Sequence, residues 1–189
     1  MPKILAFSGS ARKESYNQRL VNIASQGAQQ AGAEVTLINL ADYPMPIFDQ
    51  DLETAEGMPK AARAFKELLI AHDGFLIASP EYNSAFSPLL KNAIDWASRR
   101  EADEPPLVAY RGKVAVIMAA SPGAFGGMRG LVFLRMLLAN IGMIVLPEQF
   151  ALTHADQAFH ENGSLLEKSK QDSALKLGLS LAQHLQKLK

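Results

Sequence analysis

Lys3-Ile4-Leu5-Ala6-Phe7-Ser8-Gly9-Ser10-Ala11-Arg12-Lys13-Glu14-Ser15-Tyr16-Asn17 carries two signals in succession. Ile4–Phe7 is a short, unbroken apolar run, which suits a strand covered on both faces. A polar loop follows, and a helical pattern begins near Gln18. A loop between a strand and a helix N-terminus points several backbone N–H groups at one small volume. The helix dipole adds roughly half a positive charge there. Ser8, Ser10 and Ser15 supply hydroxyls, Asn17 an amide and Arg12 a guanidinium, a full donor set for a phosphate dianion. Taken alone, the segment also reads as an ordinary polar loop with a Ser/Asn helix cap, although such loops are usually shorter and poorer in donors.

Outward from this loop, short β-like runs alternate with longer helical patterns. Strands are expected at Ile4–Phe7, Val35–Leu40, Gly74–Ser79, Lys113–Ala119 and Met143–Pro147, and helices at Gln18–Ala31, Pro59–His72, Pro88–Arg99 and Met128–Ile141. A last helix is expected from about Leu165 to Leu188, with Ser164-Leu165-Leu166-Glu167 as a capping box and Leu177, Leu181, Leu185 and Leu188 as its apolar stripe. The least regular segments are Ala41–Gly57, Glu101–Tyr110 and Phe150–Gly163. Five such βα units imply an α/β fold: a doubly wound, three-layer sandwich around a five-stranded parallel sheet. The flavodoxin-like order 2-1-3-4-5 is the natural choice at this length. No G-x-G-x-x-G follows the first strand and no G-x-x-x-x-G-K-[ST] occurs, which speaks against a dinucleotide-binding Rossmann fold and a P-loop.

The 189 residues are most simply one domain, 1–189, with 48% hydrophobic and 20% charged residues. Nineteen basic residues balance nineteen acidic ones, so there is no electrostatic case for nucleic acid or an anionic membrane. With no cysteine, thiolate nucleophiles, disulfides and Cys-based metal sites are excluded. Neither a signal peptide nor an apolar run of membrane-spanning length is seen, and a cytoplasmic location is expected.

In an open parallel sheet, ligands bind beyond the carboxyl ends of the strands where strand order reverses. The loops meeting there are Ser8–Asn17 and Ser79-Pro80-Glu81-Tyr82-Asn83-Ser84-Ala85-Phe86-Ser87-Pro88. The second offers two stiffening prolines, an aromatic ring and an amide, the wall a flat heteroaromatic ring needs. By itself it reads better as a Pro-rich turn with Ser87-Pro88 opening a helix, and only the phosphate loop across the switch point reverses that preference. A third loop, Ala120–Arg129, has glycines that allow close backbone approach and a charge at Arg129. It reads just as well as a flexible strand–helix connection.

Gly9-Ser10-x-Arg12-x-x-Ser15-x-Asn17 together with Pro80-Glu81-Tyr82-Asn83 resembles the NAD(P)H-dependent FMN reductases, most of all the branch that includes bacterial quinone and chromate reductases. The resemblance extends to Leu40–Asp51, to Lys91–Arg99 and to Ser121-Pro122-Gly123 with Gly126-Gly127. It implies a flavodoxin-like fold that binds FMN, with NADPH or NADH as co-substrate. Ser8, Ser10, Arg12, Ser15, Asn17 and Gln18 would surround the phosphate, Pro80, Glu81, Tyr82 and Asn83 would flank the isoalloxazine, and Ser121 and Gly123 would close its far side. A homodimer or homotetramer is also implied, with the Lys91–Arg99 helix in or beside the interface. Hydride would pass through the flavin to a small acceptor such as a quinone, chromate, an azo compound or free flavin, with no protein nucleophile, obligatory acid–base side chain or metal.

The alternative is a non-catalytic electron carrier, but carriers of that kind are usually strongly acidic, whereas this chain is neutral and uses Arg12. A hydrolase ranks lower, because no G-x-S-x-G elbow occurs. His154, Asp156 and His160 form only a loose cluster in a loop and read as surface residues. His72 and His184 read as helix-end residues, Arg99-Arg100 as a helix C-terminal charge pair, and Met136 and Met143 as core filler.

Overall fold

The structure, a computed structural model, describes residues 1–101 and 103–188. Its elements run β1 (Lys3–Ser8), α1 (Tyr16–Gln30), β2 (Glu34–Leu37), α2 (Gln50–Glu56), α3 (Lys60–Ala71), β3 (Gly74–Ala78), β4 (Glu81–Tyr82), β5 (Ala85–Phe86), α4 (Pro88–Ser98), β6 (Val114–Ala120), α5 (Met128–Asn140), β7 (Ile144–Leu152) and α6 (Lys168–Lys187). Five strands form one parallel sheet in the order β2-β1-β3-β6-β7, and β4 pairs with β5 as a separate antiparallel ribbon. Counting only the sheet's own strands, this is the flavodoxin-like order 2-1-3-4-5.

Ile4–Phe7, Phe75–Ala78 and Val114–Ala119, each an unbroken apolar run, form the three central strands, as two-sided burial requires. Alternate residues of each strand enter opposite cores. Ile4 and Ala6, Leu76 and Ala78, and Val116 and Met118 face α1 and α6. Leu5 and Phe7, Phe75 and Ile77, and Ala115 and Ile117 face α3, α4 and α5. Both faces are therefore closed to water, and each fully buried Leu, Ile or Phe contributes about 1.5–3 kcal/mol.

Some boundaries differ from the sequence reading. β2 stops at Leu37 as a partly exposed edge. β7 runs on past Pro147 to Leu152, because a register shift opposite Ala115–Ile117 absorbs the proline. The segment Ala41–Gly57 contains α2, capped by the Asp49 carboxylate, and Phe48 packs edge-on against the fully buried Trp96 at 5.0 Å. Ser164 is not the cap of the last helix. Its hydroxyl donates to Asn162 Oδ1 inside a closed turn, and α6 starts only at Lys168 after Glu167. Of the leucine stripe, Leu177, Leu181 and Leu185 are buried, while Leu188 is exposed. Met143 lies in the core, but Met136 is 56% exposed on the outer side of α5 and is not core filler.

His72 ends α3 with both ring nitrogens engaged, by the Leu68 carbonyl at 2.6 Å and Thr36 Oγ1 at 2.8 Å. Arg99 pairs with Glu53 rather than with its neighbours. Among the described residues, no helix is long and apolar enough to cross a membrane.

Candidate functional site

The chain leaves β1 toward β2 on one side and returns to β3 on the other, so the carboxyl ends of β1 and β3 diverge into separate loops. Gly9 N–H still donates to the Ala78 carbonyl at 2.8 Å, carrying the pairing one residue beyond the strands. The loop then rises and turns into α1. Ser15 is the N-cap, its hydroxyl accepting from Gln18 N–H at 3.2 Å. Among the described residues, the backbone N–H groups of Tyr16 and Asn17 have no hydrogen-bond partner, and neither has the Arg12 guanidinium. Two helix-terminal amides and a cation thus converge unspent.

They line a cavity of about 90 Å³, room for a compact oxyanion rather than a flat ring system. Ser10, Arg12, Ser15, Tyr16 and Asn17 form one side of it, and Pro80, Glu81, Tyr82, Ala120, Ser121 and Pro122 the other. Three interactions weld these loops together. The Asn17 amide clamps the end of β6, donating to the Ala120 carbonyl at 2.9 Å and accepting from Ala120 N–H at 2.9 Å. Ser87 caps α4 and donates its hydroxyl to the Gly9 carbonyl at 2.5 Å, joining the first loop to the second. A Cβ at Gly9 would meet Leu90 Cβ and Ser87 Oγ at 2.9 Å, so only glycine allows this approach.

The third weld is Glu81. One carboxylate oxygen takes Arg129 Nε at 2.9 Å and Nη2 at 2.7 Å, and the other takes Gly130 N–H at 3.0 Å at the start of α5. This seats the β4–β5 hairpin on α5. The hairpin turns through Asn83 and Ser84, both at positive φ, a two-residue turn that matches strand twist. Its Tyr82 ring is left 49% exposed beside the cavity.

Of the residues singled out in the sequence, Ser10, Arg12, Ser15, Asn17, Pro80, Glu81, Tyr82 and Ser121 surround this one cavity. Ser8 lies beneath it, fully buried, its hydroxyl accepting from Ser10 N–H. Gln18 turns to Asn22, and its carbonyl oxygen is the buried side-chain polar atom without a partner among the described residues. Asn83 is at the hairpin tip, and Gly123 sits in an exposed turn closed by Ser121 Oγ. Tyr16, Ala120 and Pro122 were not foreseen as lining residues. Tyr16 stands in the polar loop of the sequence reading but is the first residue of α1, and Ala120 joins only because β6 ends there. His154 and Asp156 lie on a surface turn, and the described residues contain no group of three or more potential metal ligands.

Residues 2–157 match the family model described as NADPH-dependent FMN reductase. An NAD(P)H-dependent FMN reductase of Pseudomonas aeruginosa is 37% identical over 166 residues, covering 87% of this chain and 85% of the relative. An NADPH:quinone oxidoreductase of Arabidopsis thaliana is 34% identical over 185 residues, covering 95% and 89%. Among solved structures, a flavoenzyme NAD(P)H:acceptor oxidoreductase of Paracoccus denitrificans superimposes with a TM-score of 0.82 at 25% identity, over 99% of this chain and 98% of that one.

Proposed function

The chain belongs to the NADPH-dependent FMN reductase family, and from that premise we propose that the cradle around Arg12 and the Tyr82 hairpin together seat FMN for the reduction of small quinones. The protein is an oxidoreductase whose cofactor is FMN and whose co-substrate is NAD(P)H. Bound FMN supplies the hydride chemistry, between a nicotinamide donor and an acceptor. The observation that carries the site reading is the pair of unpartnered amides, Tyr16 N–H and Asn17 N–H, beside an unpaired guanidinium in a phosphate-sized cavity. That donor set fits a phosphomonoester.

In this reading each residue has its own task. Arg12 and the two amides hold the phosphate. The hydroxyls of Ser10 and Ser15, so far only accepting, each have a proton left to donate. Asn17 is spent mainly on Ala120 and fixes the distance between the phosphate loop and the Ser121 loop. Glu81 acts through its ion pair rather than on the ligand, holding Tyr82 as a wall. No side chain here is positioned as an acid, base or nucleophile, so the protein's contribution is placement and exclusion of water. The chain works in this reading as one FMN-binding domain over residues 1–189. Chromate, azo compounds and free flavin are further candidate acceptors.

The assembly is proposed to be a homodimer or homotetramer. Phe125, Met128, Val132, Phe133 and Met136 are all 46–61% exposed along α5 and the turn before it. Such a stripe suits a second copy of the chain. On α4, the exposed Lys91 and the half-buried Asp95 are paired with each other. In this reading α5, beside the Glu81–Arg129 pair, contributes to the contact along with the Lys91–Arg99 helix that the family resemblance implies.

The test is anaerobic oxidation of NADPH and NADH by FMN-loaded protein, with and without benzoquinone. Stoichiometric conversion of quinone to hydroquinone is expected. A flavin that accepts electrons from neither nucleotide would overturn the reading.

A further inference from the structure

Arg12 is exposed and its guanidinium makes no hydrogen bond or ion pair among the described residues, yet it occupies a defined place in the cavity wall. What holds it is an aromatic face. Its Cζ lies 5.8 Å from the centroid of the Tyr16 ring. The Phe159 ring stacks with that of Tyr16 at 6.3 Å with planes only 8° apart. Arg19 Cζ also lies 5.7 Å from the Phe159 ring centroid, and Arg19 is itself paired with Glu14 of the same phosphate loop. Two cations and two rings thus form one contiguous cluster.

We propose that Phe159 is a positioning residue for the phosphate-binding cation, acting on Arg12 through Tyr16. This rests on the reading of the cavity as a phosphomonoester site. Phe159 is well suited to the role because its own backbone is fixed. It bridges to Leu165, which is buried and whose N–H donates to Gln171 Oε1 at 2.9 Å, and Leu166 N–H donates to the Ala158 carbonyl at 2.9 Å. The turn from 158 to 166 is thus pinned to α6, and it delivers a ring to the loop that follows β1. Without that ring, Tyr16 keeps its place on α1 but loses the surface that limits its rotamers, and the guanidinium loses a stationary platform. The residue lies just beyond residues 2–157, the span that the family model matches.

The test is fluorescence titration of apoprotein with FMN and with riboflavin, which lacks only the phosphate. Phe159→Ala is expected to weaken FMN about three- to fivefold, the worth of an exposed cation–π contact, and to leave riboflavin unchanged. Phe159→Leu, which keeps apolar bulk without a ring face, is expected to behave like Phe159→Ala, and Phe159→Tyr to restore FMN affinity. Arg12→Ala and the double variant with Phe159→Ala should be equal, because the second change has no cation left to position. Equal loss of FMN and riboflavin, or full FMN affinity in Phe159→Leu, would overturn the proposal. If Arg12→Ala lowers the FMN/riboflavin ratio while Phe159→Ala does not, the positioning role fails and the phosphate site stands. If Arg12→Ala leaves that ratio unchanged, the phosphate site itself fails.

Discussion

At the scale of single residues, Arg12 and Asn17 show how one motif divides its labour. Arg12 is a spare charge held in place by a ring, whereas the Asn17 amide is already committed at both ends to Ala120. Arg12→Ala is therefore expected to reduce FMN affinity by about 1.5–3 kcal/mol, the worth of a hydrogen bond to a charged group, with melting temperature and riboflavin affinity nearly unchanged. Asn17→Ala should act the other way round. It leaves a buried N–H and C=O of Ala120 without partners, so chemical denaturation should show a loss of about 2–4 kcal/mol even without flavin. The residue types at both positions were readable in the sequence. The use of Asn17 was not, because its partner is 103 positions away.

Among the elements, α1 and α6 pack so closely that their backbones touch. A Cβ at Gly27 would fall 1.9 Å from the Leu175 carbonyl oxygen, and one at Gly178 would fall 1.8 Å from that of Ala24. Neither neighbour is a flexible side-chain tip, so the helices would have to separate. Gly178→Ala is expected to destabilise the fold at or above the upper end of the ~1–3 kcal/mol typical of overpacking, measurable as a lower melting temperature. In the sequence, both glycines look like mild defects in helical patterns, and the leucine stripe of α6 gives no hint of them. The same blindness explains the start of α6. Ser164-Leu165-Leu166-Glu167 has capping-box chemistry, but the turn's own bonds, His160 N–H to the Ser164 carbonyl among them, outcompete the helix there. The β4–β5 hairpin was hidden for a similar reason. Two residues per strand carry no periodic signal, and it exists because Glu81 anchors it to α5.

For the whole molecule, stability and assembly depend on groups that no local motif marks. Lys66 is nearly fully buried, with its ammonium bonded to the Glu104 carboxylate and, at 2.8 Å, to the Arg99 carbonyl. The hydrogen bond from Lys66 holds the Glu104 carboxyl below its ordinary value, against an opposing effect of desolvation. A carboxyl with a lowered folded-state pKa stabilises above its unfolded pKa, and that contribution disappears as pH falls through the folded value. Urea unfolding of Glu104→Gln should accordingly show lower stability than the parent at neutral pH, with the gap closing under acid. Parallel pH curves would show that the pair is not the source. The α5 stripe makes a prediction about assembly: Val132→Lys should shift the protein toward monomer in analytical ultracentrifugation while leaving the monomer's melting temperature within about 0.5 kcal/mol of equivalent stability. An unchanged sedimentation profile would place the subunit contact elsewhere.

The chain's own sequence determined the sheet, its order and the loops that meet at the switch point, because two-sided burial and donor-rich loops are written into consecutive residues. It also determined that Arg12, Ser15 and Tyr82 would share one end of the molecule. Only the tertiary structure decided which polar groups remain unspent. Ser87 is committed to Gly9, Asn17 to Ala120 and Glu81 to Arg129, each across a long separation in the chain. A hydrogen-bond donor serves a ligand only when the fold leaves it free, and that depends on neighbours brought together by packing.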